Sequence, residues 1–153
     1  MQLYLIQHGK AKSKDEDPDR PLTEEGRREV ETVMLLMMQY GAITAPEVLH
    51  SGKRRAAETA EIVGRKLDAS VEEADGLQPM DDPGVWEERL IDREQDVVLV
   101  GHLPHLPKLA SLLLSGDEEA ELVEFTNGGV VCLRRDDEGR WALRWSIPPS
   151  LVA

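Results

Sequence analysis

The 153 residues hold almost no cysteine, no long apolar run, and too little positive charge to balance the negative. Each shortage excludes something. One cysteine, Cys132, cannot build an internal disulfide framework, which fits a reducing compartment and a cytoplasmic protein. Cys132 alternates with apolar neighbours in a strand-like segment, so buried packing accounts for it without thiol chemistry. No stretch reaches membrane-spanning length, and Met1-Gln2-Leu3-Tyr4-Leu5-Ile6 is too short, and lacks the basic flank, for a signal peptide. Thirty acidic residues against eighteen basic ones give a formal charge of -12, a surface that repels nucleic-acid phosphates and anionic membranes. Internal repeats and dividing linkers are missing too, so residues 1–153 read as a single domain, long enough to bury a core.

What is present is an alternation of short apolar runs with charged, helix-forming stretches. Leu3-Tyr4-Leu5-Ile6 reads as a buried strand ending in the polar turn Gln7-His8-Gly9. After the hydrophilic loop Lys10 to Pro21, Thr23 is placed to cap a helix whose first turn carries Glu24 and Glu25. Val30, Val33, Met34, Met37 and Met38 recur at helical spacing up to Gly41, a core stripe and not a ligand surface. Glu47 to His50 is a short strand, and Ser51 a second cap before a helix with Ala56, Ala60, Val63 and Leu67 on its apolar face. Asp82-Pro83 opens a short helix containing Trp86 and Leu90. Asp96 to Val100 is the clearest central strand. Gly101-His102-Leu103-Pro104 ends it and leads into a helix with Leu106, Leu109, Ala110 and Leu113, where Pro107 is tolerated in the first turn. Gly129–Arg135 and Arg140–Ile147 flank Asp136-Asp137-Glu138-Gly139 as a hairpin. Together these predict an α/β fold: a three-layer α-β-α sandwich around a mostly parallel mixed sheet, with a C-terminal antiparallel hairpin at its edge.

Open parallel sheets bind ligands at the carboxyl ends of their strands. His8, His50 and His102 each follow a strand, with Arg20 before the first helix and Lys53, Arg54 and Arg55 at the start of the second. A helix start ringed with arginines is an anion site, and on so acidic a protein that concentration points to a phosphorylated ligand. The plainer readings are loop histidines with satisfied hydrogen bonds and a solvated helix start. A metal site from His50, His102 and His105 with an aspartate has none of the usual zinc spacings, so no metal and no cofactor is expected.

Four segments decide between these readings: Leu5-Ile6-Gln7-His8-Gly9, Arg20-Pro21-Leu22-Thr23-Glu24-Glu25-Gly26, Ser51 to Thr59, and Val100-Gly101-His102-Leu103-Pro104. In order and spacing they resemble the histidine phosphatase superfamily, phosphoglycerate-mutase-like in fold. The Arg-Pro-Leu-Thr run, and Leu77-Gln78-Pro79 before Asp82-Pro83, resemble its SixA-like phosphohistidine phosphatase branch. The resemblance implies that His8 becomes transiently phosphorylated, with His8, His102 and Arg55 catalytic and with Gln7, Arg20, Arg55 and His102 binding phosphate. It makes Arg54 an outward-facing neighbour, His50 structural, and His105 a surface or second-layer group.

The sequence departs from the family's Arg-His-Gly signature at Gln7. A glutamine offers at most two neutral N–H donors where arginine offers a charged fork. Lys10 or Lys12 could compensate in part. Gly9, lacking a side chain, would let a phosphoryl group approach the ring. Gln78 lies where the superfamily's general acid is expected and cannot supply a proton as an acid, with Asp81 and Asp82 nearby. The implied activity is a phosphatase acting on a phosphohistidine protein through a phosphohistidine intermediate. A phosphatase for a small phosphomonoester and an impaired phosphate- or phosphohistidine-binding module are the alternatives. The partner implied is a phosphorylated protein, with no nucleic acid and no membrane.

Overall fold

The structure, a computed structural model, describes residues 1–152. Six strands and four helices follow in the order β1 (Gln2–Gln7), α1 (Glu24–Gln39), β2 (Glu47–His50), α2 (Arg54–Leu67), β3 (Ser70–Glu73), α3 (Gly84–Arg89), β4 (Val97–Gly101), α4 (His105–Ser115), β5 (Val130–Arg135) and β6 (Trp141–Ile147). They form one sheet ordered β3-β2-β4-β1-β5-β6. The first four strands in that order run parallel, and β5 and β6 join antiparallel beyond β1. No described helix is long and apolar enough to cross a membrane.

Alternation along the central strands builds the three layers. Tyr4 and Ile6 point to a core shared with Val30, Val33 and Met34 of α1 and Ala56, Ala60 and Val63 of α2. Leu3 and Leu5 point the other way, onto Trp86 of α3 and Leu106, Leu109 and Ala110 of α4. Strands apolar on both sides need cover on both sides, and the helices supply it. Thr23 caps α1 by accepting a hydrogen bond from Gly26 N at 2.9 Å. Cys132 is buried, with burial raising its thiol to about 11, which leaves it a packing residue.

Two local expectations fail, and one strand went unread. Met38 is exposed, because the buried stripe of α1 ends at Met37. Ser51 does not sit at the cap position of α2. Lys53 does, without a side-chain cap bond. β3 has no counterpart in the sequence pattern: Ser70-Val71-Glu72-Glu73 carries one apolar side chain and is held at the sheet edge by parallel pairing with β2.

Candidate active site

Register brings the histidines together. β1 and β4 are parallel neighbours with Gln7 opposite Gly101, and His8 N extends the ladder to Gly101 O at 3.1 Å. The next residue on each strand is a histidine, so His8 and His102 leave the sheet side by side, with ring centroids 5.1 Å apart and planes tilted by 53°. β2 lies on the other side of β4 with His50 opposite Val100, which carries the following Ser51 toward His102. Ser51 Oγ lies 2.6 Å from His102 Nε2.

His8 is 8% exposed, and its Nδ1 lies 2.8 Å from Gly9 O. A carbonyl oxygen only accepts, so Nδ1 carries the proton and Nε2 keeps its lone pair. Burial lowers the imidazole to about 4; the Gly9 bond opposes this, and Arg55 and Arg20 add repulsion. The ring is neutral at pH 7. The Gln7–His8 turn is held from outside the first motif: Gly128 N donates to Gln7 O at 2.9 Å and to His8 O at 3.2 Å. Asn127 Nδ2 donates to His8 O at 3.0 Å. Behind it, Gly9 N donates to Thr59 Oγ1 at 3.0 Å. Asn127 and Gly128 went unread in the sequence, where Asn-Gly-Gly signals only a turn.

Gly9 has a packing role that the sequence did not announce: a β-carbon there would crowd Val30, Leu22 and the carbonyl of Gly26, so the missing side chain admits α1.

Arg55, in the first turn of α2, is half-buried with Nε unpartnered; partial burial and then Arg20 lower its pKa. It remains a cation. Arg20 is delivered by the 10–21 loop, which closes through Lys12 N to Pro21 O (2.8 Å) and Thr23 N to Lys10 O (2.9 Å). Its backbone is left-handed (φ 50°), and its Nε donates to Lys12 O at 3.0 Å, fixing the guanidinium. Gln7 is 6% exposed with Oε1 unpartnered, and it lines an open cleft of about 430 Å³ with Lys10, Glu29, Leu103 and Phe125. A cavity of about 490 Å³ around Ile43, Ala45 and Leu67 has neither histidine nor arginine in its lining.

The other candidates fall outside this group. Arg54 faces outward and pairs with Glu58 (3.3 Å). Lys10 Nζ sits between Glu25 (2.8 Å) and Glu29 (3.6 Å), so its charge is already matched. His50 Nδ1 accepts from Gly52 N at 3.0 Å, a local structural bond. His105 is no surface group: it is 1% exposed, with neither ring nitrogen partnered, and burial lowers its pKa against the pull of Asp81 and Asp82. Gln78 Nε2 donates to Ser51 O at 2.6 Å. Asp81 and Asp82 accept from Gln78 N and Gly84 N, each at 2.9 Å.

The sequence profile of the histidine phosphatase superfamily (branch 1) matches residues 3–95. No curated protein sequence matches. Among solved structures, the protein histidine phosphatase SixA complexed with tungstate is 27% identical, covers 100% of both chains and superposes with a TM-score of 0.84. A structure from Agrobacterium tumefaciens assigned as a SixA phosphohistidine phosphatase is 23% identical over 97% of each chain (TM-score 0.78). The alpha-ribazole phosphatase of Shigella flexneri is 18% identical over 97% of each chain (TM-score 0.75). A profile match across more than half of the residues, joined to full-length likeness in sequence and fold, makes this chain a member of the histidine phosphatase superfamily and a phosphatase.

Proposed function

We propose that the protein, working as a single domain, removes phosphate from a phosphohistidine on another protein. One observation carries the chemistry: a buried, neutral His8 whose Nδ1–H donates to the Gly9 carbonyl, leaving Nε2 as nucleophile among Arg20, Arg55 and His102. Nε2 attacks phosphorus as the bond to the departing imidazole nitrogen breaks on the opposite side. Water then attacks the phosphohistidine, releasing inorganic phosphate and restoring His8. Arg55, Arg20 and His102 hold the equatorial oxygens, with Gln7 assisting. Tungstate in the SixA complex is a phosphate-like oxyanion, which supports such a cradle here.

The substrate class follows from what surrounds the cradle. Gln78 is an amide, and the hydrogen bonds of Asp81 and Asp82 fold their own loop. A phosphorylated imidazole tolerates this setting, because its leaving nitrogen can already carry a proton, whereas an alkoxide must be given one. An open cleft also suits a protein surface better than an enclosed small ester. Rates measured side by side on a phosphohistidine protein and a panel of small phosphoesters test the assignment. The phosphoprotein should be preferred, and clear preference for the panel overturns it.

Gln7 motivates one second reading, a module that binds phosphate without turnover. Gln7→Arg separates the two. In a working enzyme the regained charged donor should raise kcat/KM by about 10- to 100-fold. If wild type and variant are both inert while phosphate binds, the binding module is correct.

A further inference from the structure

Ser51 read as a helix cap in the sequence, but its hydroxyl is turned toward His102. It is 1% exposed and makes two contacts: Lys53 N donates to Oγ at 3.3 Å, and His102 Nε2 lies 2.6 Å away. A hydroxyl has one proton to give. If His102 donated from Nε2, Ser51 Oγ would accept twice, and its own buried proton would have no acceptor among the described residues. If Ser51 donates to Nε2, the hydroxyl proton and Nε2 are both satisfied, and the only open ring atom is Nδ1. Nε2 is then the unprotonated nitrogen, so the ring proton of the neutral imidazole sits on Nδ1.

Nδ1 of His102 is the ring atom left buried and without a partner among the described residues. Burial lowers the pKa of the ring to about 3, and His8, Arg55 and Lys53 add repulsion against its charged form. With a phosphoryl group in the proposed cradle beside it, a lone pair on Nδ1 would meet the oxygens as one acceptor meets another, whereas an N–H would donate to them.

We infer that Ser51 is a positioning residue that fixes His102 in its Nδ1–H tautomer and so turns a neutral imidazole into a phosphoryl-oxygen donor. The inference rests on the proposed role of His102 in the cradle. Gln78 supports the arrangement from behind, since its amide grips the carbonyl of Ser51 and ties the β2–α2 turn to the loop that follows β3. That gives the amide at this position a use unrelated to proton supply.

Long-range nitrogen-15 correlation spectra of the free protein, with four histidines to assign, read the tautomer directly. Wild-type His102 should show a protonated Nδ1 and a bare Nε2, and Ser51→Ala should shift it toward the Nε2–H form. Turnover and affinity for inorganic phosphate should fall in Ser51→Ala by about 10- to 100-fold, less than the full loss of a donor. Ser51→Thr, which keeps the hydroxyl, should restore both. Should the extra methyl not fit, the tautomer, phosphate affinity and turnover of Ser51→Ala decide without it. An Nε2–H tautomer in the wild type, or an unchanged tautomer in Ser51→Ala, overturns the inference. The expected tautomer shift with unchanged phosphate affinity and turnover also overturns it. If His102→Ala leaves phosphate affinity and turnover intact while the tautomers behave as stated, the fault lies with the cradle and not with Ser51.

Discussion

At the scale of single residues, the proposed chemistry depends on His8 being buried yet neutral. Brief exposure to a reactive phosphodonor should leave an acid-labile, alkali-stable phosphoryl group on His8, located by rapid quench and peptide mapping. Label on His102 or His105 with His8 clean would remove it as nucleophile. His8→Ala should abolish turnover and still melt cooperatively, since the ring sits at a strand end beyond the apolar core. The same burial makes stability depend on pH. Unfolded histidine titrates near 6.5 and folded His8 at about 4, so between those values the unfolded chain binds more protons. The contribution of His8 is complete above pH 6.5 and drains away as pH falls toward 4, a loss on the order of 3 kcal/mol. Urea melts at pH 7 and 4.5 should therefore show a smaller drop in His8→Ala than in wild type. Equal drops would mean that His8 is not titrating as its burial requires.

Elements show what a sequence can and cannot announce. β1 and β4 were legible because strands covered on both faces become unbroken apolar runs, and the start of α1 because a cap is a three-residue affair. β3 was not, since its place depends on backbone pairing with β2 and on Val71 resting against Gly64. Ser51 misled for a related reason. A serine before a helix is a local signal, and here a partner 51 residues away outweighed it. The order and spacing of the motifs anticipated that His8, His102, Arg55 and Arg20 would come together, but not that Gly9 admits the approach of α1. Gly26 shares that purpose from the helix side: a β-carbon there would run into the backbone of Lys10. Helix propensity alone makes Gly26→Ala stabilising by nearly 1 kcal/mol. The clash should win and cost about 1–3 kcal/mol, visible in denaturant melts, with activity falling because Lys10 begins the loop that carries Arg20. A gain in stability would show that the loop yields.

For the molecule as a whole, the order of strands in the sheet differs from their order in the chain. β1 is central, yet both of its neighbours are late: β4 begins at Val97 and β5 at Val130. On a ribosome, at about 5–20 residues per second, some 5–20 s separate the emergence of β1 from that of β4. Throughout that wait Leu3-Tyr4-Leu5-Ile6 is an apolar strand with two open edges, free to pair with another nascent copy. Residues 1–95, which carry the matched family profile, should on their own give a collapsed amide spectrum and leave the supernatant; a cooperative melt from that fragment would contradict this. His8, the proposed nucleophile, waits longer still. The turn that clamps the carbonyls of Gln7 and His8 contains Asn127 and Gly128, so His8 is among the first residues synthesised and among the last to be set. A chain stalled before residue 127 carries every signature motif and no finished site, which makes catalytic competence itself a signal that synthesis has passed that turn.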